Sequence, residues 1–228
     1  MRNLLFSLFT HRFLAIARWD FHFIGVRIRN RVIGQRRRVR RFLSTRKQPA
    51  FLNLGSGPRG RADDHWVNVD GFRDLNVHFV IDFGRPLPFP DDSFDGVFCE
   101  HVVEHFSRED GQRLAREVHR VLKPGGCLRV IVPDAEILLR LYFEAPQTLV
   151  DWRGDLDQTP METVNSYFRQ RYEHQFLYDW PTLNKMLAAA GFDQVLRTAF
   201  GAAQSCEALT LDDPKYARES LYVEAVKR

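Results

Sequence analysis

The chain has 228 residues, 44% hydrophobic, 27% charged and 13% aromatic, with a formal net charge of +4. That balance excludes global disorder and allows one domain plus an extension. Three widely spaced cysteines, Cys99, Cys127 and Cys206, exclude a disulfide framework and point to a reducing compartment.

The net charge hides two unlike parts. Residues 1–49 carry thirteen Lys or Arg against one acid, Asp20, and the remainder carries twenty against 28 acids, so a basic arm is attached to an acidic body. Residues 3–17 are apolar but broken by His11 and Arg12, and residues 21–47 hold ten basic residues and no acid. No apolar run approaches the ~20 residues of a membrane-spanning helix. Arg2, the apolar stretch and Ala15-Ile16-Ala17 outline a signal peptide whose centre the His-Arg pair interrupts. The Arg-rich, acid-poor start also has the outline of an organelle transit peptide. Two further readings of the arm, residues 1–47, stand side by side. One is an amphipathic helix on an anionic membrane surface through residues 21–47, where each basic residue contributes about 1 kcal/mol. The other is a helix packed on the domain. The arm carries no nucleic-acid-reading motif. The expected location is the cytoplasm, and the membrane reading adds a peripheral position on the inner face of the membrane.

From Ala50 onward short apolar runs alternate with loops and helices. Strands are predicted at Ala50–Leu54, Trp66–Asp70, His78–Asp82, Phe94–Cys99 and Cys127–Val132, each short and apolar as in a sheet buried on both faces. Ser107–Leu122 reads as a helix with Leu114, Val118, Val121 and Leu122 on one face, stopped by Lys123-Pro124-Gly125-Gly126. Asp134–Phe143 and Pro181–Ala190 read as helices, the second stopped by Gly191. Residues 144–180 read as an irregular, aromatic-rich insertion. Final strands are predicted near Phe192–Phe200 and Leu221–Val226, joined by an acidic loop at 207–214.

Gly55-Ser56-Gly57-Pro58-Arg59-Gly60 is a G-x-G-x-x-G directly after a strand, a turn whose bare backbone lets N–H groups approach a ligand. Asp70 ends the next strand, where a carboxylate can accept ribose hydroxyls. A nicotinamide dinucleotide and S-adenosylmethionine fit these residues equally. The short spacing from Gly60 to the second strand leaves no room for a long dinucleotide-type helix. Downstream, Asp82-Phe83 precedes LPFPDDSFDGVFCEHVVEHF, and Arg120–Gly126 reads RVLKPGG. Over Phe51 to Pro133 the chain resembles the class I S-adenosylmethionine-dependent methyltransferases of the "LPF-x-D-x-SFD" and "RVLKPGG" branch. Its LNLGSG, WVNVD and SLYVEA patterns are similar to the predicted methyltransferases associated with cell-surface polysaccharide synthesis.

The resemblance implies an α/β fold: a Rossmann-like, mostly parallel seven-stranded sheet with an antiparallel last strand, helices on both faces and an N-terminal helical arm. The domain spans residues 48–228, with a substrate lid at about 144–180. Gly55, Ser56 and Gly57 would pass under the methionine part of S-adenosylmethionine, Asp70 and the adjoining Gly71 would hold the ribose, and Asp82 and the Phe83 N–H would meet the adenine. Cys99 and Glu100 would end the fourth strand beside the sulfonium. Asn53 stands where the family has an acid, and Arg59 where it has a third close glycine. Asn53 still accepts a hydrogen bond but offers no charge to the ligand's ammonium.

The string His101-Val102-Val103-Glu104-His105 is also a literal H-x-x-E-H, the pattern of an inverted zinc peptidase. A peptidase needs it inside a long helix, and here it begins where a strand ends, on the sheet edge where such folds place ligands. Ubiquinone-pathway and small-RNA O-methyltransferases carry E-x-x-E-H at this place and bind a divalent ion, and this sequence looks similar with His101 in place of the first Glu. His101, Glu104 and His105 are thus candidate metal ligands, with His174 as a fourth from the insertion; mixed N/O ligands suit Zn²⁺, Mn²⁺ or Fe²⁺. His101, then His174, are the candidate general bases for an alcohol nucleophile. The aromatics Tyr167, Phe168, Tyr172, Phe176, Tyr178 and Trp180 are candidate lid residues, and Arg169 and Arg171 candidate anion contacts. The expected reaction is O-methylation of a small or glycan-type acceptor, lipid-linked in the membrane version. The alternative, motivated by Asn53 and Arg59, is a catalytically silent S-adenosylmethionine-binding or scaffold protein.

Overall fold

The structure is a computed structural model that describes residues 11–153, 159–170, 173–205 and 207–228. The start of the apolar stretch 3–17, together with Arg171, Tyr172 and Cys206, lies outside the described residues. Seven strands form one sheet: β1 (Phe51–Leu54), β2 (Trp66–Asp70), β3 (Phe79–Val80), β4 (Phe94–Glu100), β5 (Leu122–Pro133), β6 (Gln194–Thr198) and β7 (Ser220–Val226). Their order is β3-β2-β1-β4-β5-β7-β6. The first five run parallel, and β7 pairs antiparallel with both β5 and β6. The order reverses between β1 and β4, so their carboxyl ends open the crevice where folds of this type seat a ligand.

The strands are short apolar runs because the sheet is covered on both faces. Leu52, Leu54, Val67, Val69, Val97, Val130 and Val223 are all buried. Helix α1 (His11–Val32) and α2 (Gln35–Leu43) precede the sheet, and α3 (Arg108–Val121) follows β4. Ser107 caps α3 by accepting the Asp110 N–H, with Glu109 and Asp110 in its first turn, a favourable placement of acids at a helix start. Leu114, Ala115, Val118 and Val121 form its buried stripe. Helix α4 (Ala135–Glu144) is capped by Asp134. Helix α7 (Trp180–Ala190) is capped by Asp179 and ended by Gly191 at φ +108°.

Four predicted features change. The third strand shrinks to Phe79–Val80, because Asp82 turns the chain by accepting the Gly84 N–H. The fifth strand starts earlier, at Leu122, and the Lys-Pro-Gly-Gly stretch bulges within it, so that Phe94 faces Leu122 but Gly96 faces Cys127. The insertion is not irregular: it holds α5 (Pro146–Arg153) and α6 (Pro160–Arg169). These pack with α4 around Leu138, Leu149, Val164 and Tyr167. The arm is two helices, and α1 lies on the β3 edge of the sheet, with Val26 buried against Val77 and Val80. Asn30 and Gln35 donate to the Val80 carbonyl at 2.9 and 3.3 Å.

Candidate functional site

The crevice is built first by the loop after β1. Gly55 turns at φ +77°, and a Cβ there would stand 2.1 Å from Val102 Cγ2, so only glycine fits. The Gly55 and Ser56 N–H groups donate to the Val69 carbonyl, tying the loop to β2. Gly57, at φ +48°, has open space where a Cβ would be, leaving its backbone bare toward the crevice. Its N–H donates to Asp70 Oδ2 at 2.8 Å, and the Phe72 N–H donates to Oδ1 at 2.9 Å. Two amides thus orient the Asp70 carboxylate while each oxygen retains a lone pair for a further donor.

The same edge carries Asp82, whose Oδ1 accepts the Gly84 N–H at 2.9 Å and whose Oδ2 lies 3.6 Å from Arg27 Nε. Ser56 is buried, and its hydroxyl has no partner. An orphaned hydroxyl, a bare glycine edge and two oriented carboxylates on adjacent strand ends fit an adenosyl cofactor. Asn53, deep in β1, and Phe83 are both buried, and Gly71 abuts Phe23. Cys99 is buried too; burial, then the nearby Glu104 and Glu100, push its thiol well above the usual range. It therefore stays protonated and serves as packing.

Glu100 is held more tightly than a free ligand group. Its Oε2 meets Arg59 Nη2 at 2.5 Å, and its Oε1 accepts the Asp213 N–H at 2.9 Å. Arg59 also reaches Asp213 Oδ2 at 2.7 Å. The residue that departs from the glycine pattern therefore clasps the 207–216 segment against the loop after β1.

Beyond β4 the string of two histidines and a glutamate forms a 3₁₀ turn, Val103–His105, rather than the start of a regular helix. His101 sits at φ +52°, a backbone state that non-glycine residues rarely adopt and that clusters at functional sites. Its Nε2 lies 3.0 Å from Ser220 Oγ and its Nδ1 3.1 Å from Glu104 Oε1, while Tyr216 stacks on the ring at 4.0 Å. Glu104 has no solvent exposure, and neither carboxylate oxygen accepts a well-formed hydrogen bond, since the short His101 contact lacks that geometry. Burial pushes its carboxyl up, but His101, His105 and His174 outweigh that and hold it below the usual range. It is a charged carboxylate among imidazoles.

His174 comes from the turn after α6. Its Nδ1–H donates to the Tyr167 carbonyl at 2.6 Å, and the His105 Nδ1–H donates to the Glu173 carbonyl at 3.2 Å. In the neutral rings both Nε2 lone pairs are therefore free. Burial lowers the His174 pKa, favouring that neutral form. One ligand atom from each of Glu104, His105 and His174 falls within a mutual 4.8 Å. All three border a cavity of about 920 Å³, together with His101, Glu162, Asn165, Gln170, Lys215 and Glu219.

The structure brings His101 and His174 to one cavity, and the glycine loop, Asp70 and Asp82 to the adjoining edge. Of the four candidate metal ligands, Glu104, His105 and His174 converge, while the ring nitrogens of His101 face Ser220 and Glu104. The structure corrects the aromatic lid. Tyr178 is 1% exposed and packs in the main core with Phe176 and Trp180, Phe168 is exposed, and among the described candidates only Tyr167 borders the cavity. Arg169 is exposed and outside the cavity lining. Sequence reasoning missed Ser220, Tyr216 and the inner face of α1. The last had a signal: His22, Phe23, Val26, Arg27 and Asn30 recur at helical spacing.

Comparison with known proteins gives the family and the fold. The family pattern described as a methyltransferase domain matches residues 63–130. The demethylmenaquinone methyltransferase of Chlorobaculum tepidum is 30% identical over 201 residues, covering 76% of this chain and 79% of that protein. The ubiquinone/menaquinone biosynthesis C-methyltransferase UbiE of Pseudoalteromonas translucida is 31% identical over 138 residues, 59% of this chain and 51% of that one. The chain spans about half the length of the UbiE relatives it matches. Among solved structures, the putative methyltransferase in complex with the Haloferax volcanii Trm112 activator superposes with a TM-score of 0.50 at 15% identity. That match covers 82% of this chain and 88% of the other and speaks to the fold alone.

Proposed function

The chain belongs to the class I S-adenosylmethionine-dependent methyltransferases, and from that premise we propose that it methylates a hydroxyl of a small or glycan-type acceptor seated in the His101 cavity. The observation that carries this reading is His101 itself, strained at the end of β4 and held between Ser220 and the buried Glu104. Bound S-adenosylmethionine supplies an electrophilic methyl group, whose in-line transfer depends mainly on positioning. The chain supplies the rest. Glu104 favours the tautomer with the proton on His101 Nδ1, leaving Nε2 to take the proton of a hydroxyl that replaces Ser220 Oγ as its partner. Glu162, Asn165, Gln170 and Lys215 around the cavity offer hydrogen bonds suited to a hydroxyl-rich acceptor rather than an apolar ring. His174, buried and held by Tyr167, is a wall of the cavity.

The test is transfer of labelled methyl to free and lipid-linked glycans by the full chain. His101→Gln is expected to lower turnover about 100-fold or more with S-adenosylmethionine affinity within about twofold. Turnover unchanged in His101→Gln would overturn the base assignment. Binding without turnover on any acceptor would favour the scaffold alternative.

A second reading has its own observation: a fully buried carboxylate without a hydrogen-bond partner, facing two imidazoles whose free nitrogens converge on it. Imidazoles whose other nitrogen is fixed by a carbonyl have the outer support usual for metal ligands. In this reading Glu104, His105 and His174 hold a divalent cation such as Zn²⁺, Mn²⁺ or Fe²⁺. Elemental analysis of the purified protein near one equivalent, lost in His174→Ala, is the expected outcome. Metal-free protein with activity unchanged in EDTA would end this reading.

A further inference from the structure

Helix α1 touches the cofactor edge at three points. His22 Nε2–H donates to the Gly71 carbonyl at 2.8 Å. A Cβ on Gly71 would stand 3.1 Å from Phe23 Cζ, so the Phe23 ring lies directly on the backbone that follows Asp70. Arg27 Nε, which donates to the Phe23 carbonyl at 3.1 Å, lies 3.6 Å from Asp82 Oδ2. The His22 ring also stacks on Phe72 and Trp19 meets Phe72 edge-on, with centroids 4.4 and 5.0 Å apart. These contacts fall on the residues beside the two oriented carboxylates of the crevice, and no described residue of α1 lines the His101 cavity.

We infer that α1 is the adenosine wall of the cofactor site, with Phe23 bracing the ribose-side turn and Arg27 orienting Asp82. The inference goes beyond the proposed acceptor chemistry and does not depend on it. Asp82 alone is fixed through one oxygen by the Gly84 N–H. Arg27 fixes the direction of the other, so that its remaining lone pair faces a donor such as the adenine amino group. Phe23 adds apolar surface against a turn that otherwise opens to water, which restricts the mobility of Gly71 and Phe72 and lowers the ordering cost of binding. The inner face of α1 thereby acts as part of the cofactor site, whatever its outer face meets.

The experiment is calorimetric titration of S-adenosylhomocysteine, and of its inosyl analogue lacking the amino group, into the full chain. Phe23→Ala is expected to weaken both ligands about tenfold, because the turn after Asp70 then opens to water. Arg27→Gln is expected to weaken the adenosyl ligand more than the inosyl one, shrinking the preference between them about threefold. Val26→Ala removes buried surface from the same helix at the β3 edge. It is expected to lower the thermal midpoint and leave both affinities within about twofold. Wild-type affinity and preference in Arg27→Gln and Phe23→Ala would overturn the inference. So would an equal loss in Val26→Ala with no change in preference, since that pattern belongs to a helix that only stabilises the fold.

Discussion

Two buried clusters of charge lie in this protein at similar depth, and they are finished differently. Arg129, fully buried in β5, donates to both oxygens of Asp212 at 2.7 and 2.5 Å and to Glu224 at 3.2 Å. It also donates to the carbonyls of Ala199 and Ala202. Glu224 and Asp212 in turn accept N–H groups from Gln204, Ser205 and Gly201. Around Glu104, equally buried, the neighbours are imidazoles: His101 Nδ1 lies 3.1 Å from Oε1, and no backbone amide or guanidinium bonds either oxygen. A satisfied buried network fixes a segment to the sheet, here residues 199–205 and Asp212. A buried charge left without partners is costly, and the cost is understandable where a ligand or proton completes the set.

The sharpest way to break that contrast is to delete one member of each. Arg129→Met leaves Asp212 and Glu224 buried without their counter-charge and is expected to lose about 3–5 kcal/mol in urea unfolding. Glu104→Gln removes a charge held only by neighbouring imidazoles, with no guanidinium partner to orphan, and is expected to lower the unfolding free energy by no more than about 1 kcal/mol. The same variant is expected to lower methyl transfer about 100-fold. Equal destabilisation by the two substitutions would show that Glu104 is as structural as Arg129. A third substitution separates the cofactor edge from both clusters. Asp70→Ala removes a carboxylate held by the Gly57 and Phe72 amides and is expected to weaken S-adenosylmethionine about 10- to 100-fold by calorimetry.

The cofactor edge was legible because its signals are local. The turn at Gly55, Asp70 at a strand end and Asp82 after the next strand fall within 28 positions of one another and depend on backbone chemistry that residue type alone reveals. The strand positions were legible for a similar reason, since each was a bounded apolar run, whereas their order in the sheet came only with the structure. The acceptor side was not. His101 meets Ser220 across 119 positions, and His174 arrives from a segment whose polar, Pro-containing composition masked two helices. That segment does carry one helix signal: Thr159-Pro160-Met161-Glu162 is a capping box, with Thr159 accepting the Glu162 N–H and donating to its carboxylate. Arg129 was invisible inside CLRVIV because an apolar run gives no hint that its one arginine points inward.

Helix α1 offers the smallest of these effects. Its inner face is used by the cofactor edge, while Phe21, Ile24, Ile28 and Val32 remain 73, 43, 61 and 80% exposed and recur at helical spacing along one side. No described helix is long and apolar enough to cross a membrane. The membrane reading of the arm draws on that row and on the exposed Arg29, Arg36, Arg37 and Arg40, the charges that would meet an anionic surface. Phe21→Glu with Ile28→Glu substitutes exposed positions and is expected to change unfolding free energy by no more than about 0.5 kcal/mol per site. Co-sedimentation with anionic vesicles is expected to fall several-fold in this variant, and to fall in wild type as salt shortens the range of the arginines' attraction. Equal wild-type binding to neutral and anionic vesicles would remove the electrostatic part of this reading. Unchanged binding by the double variant would remove the apolar part, leaving α1 with its inner face alone.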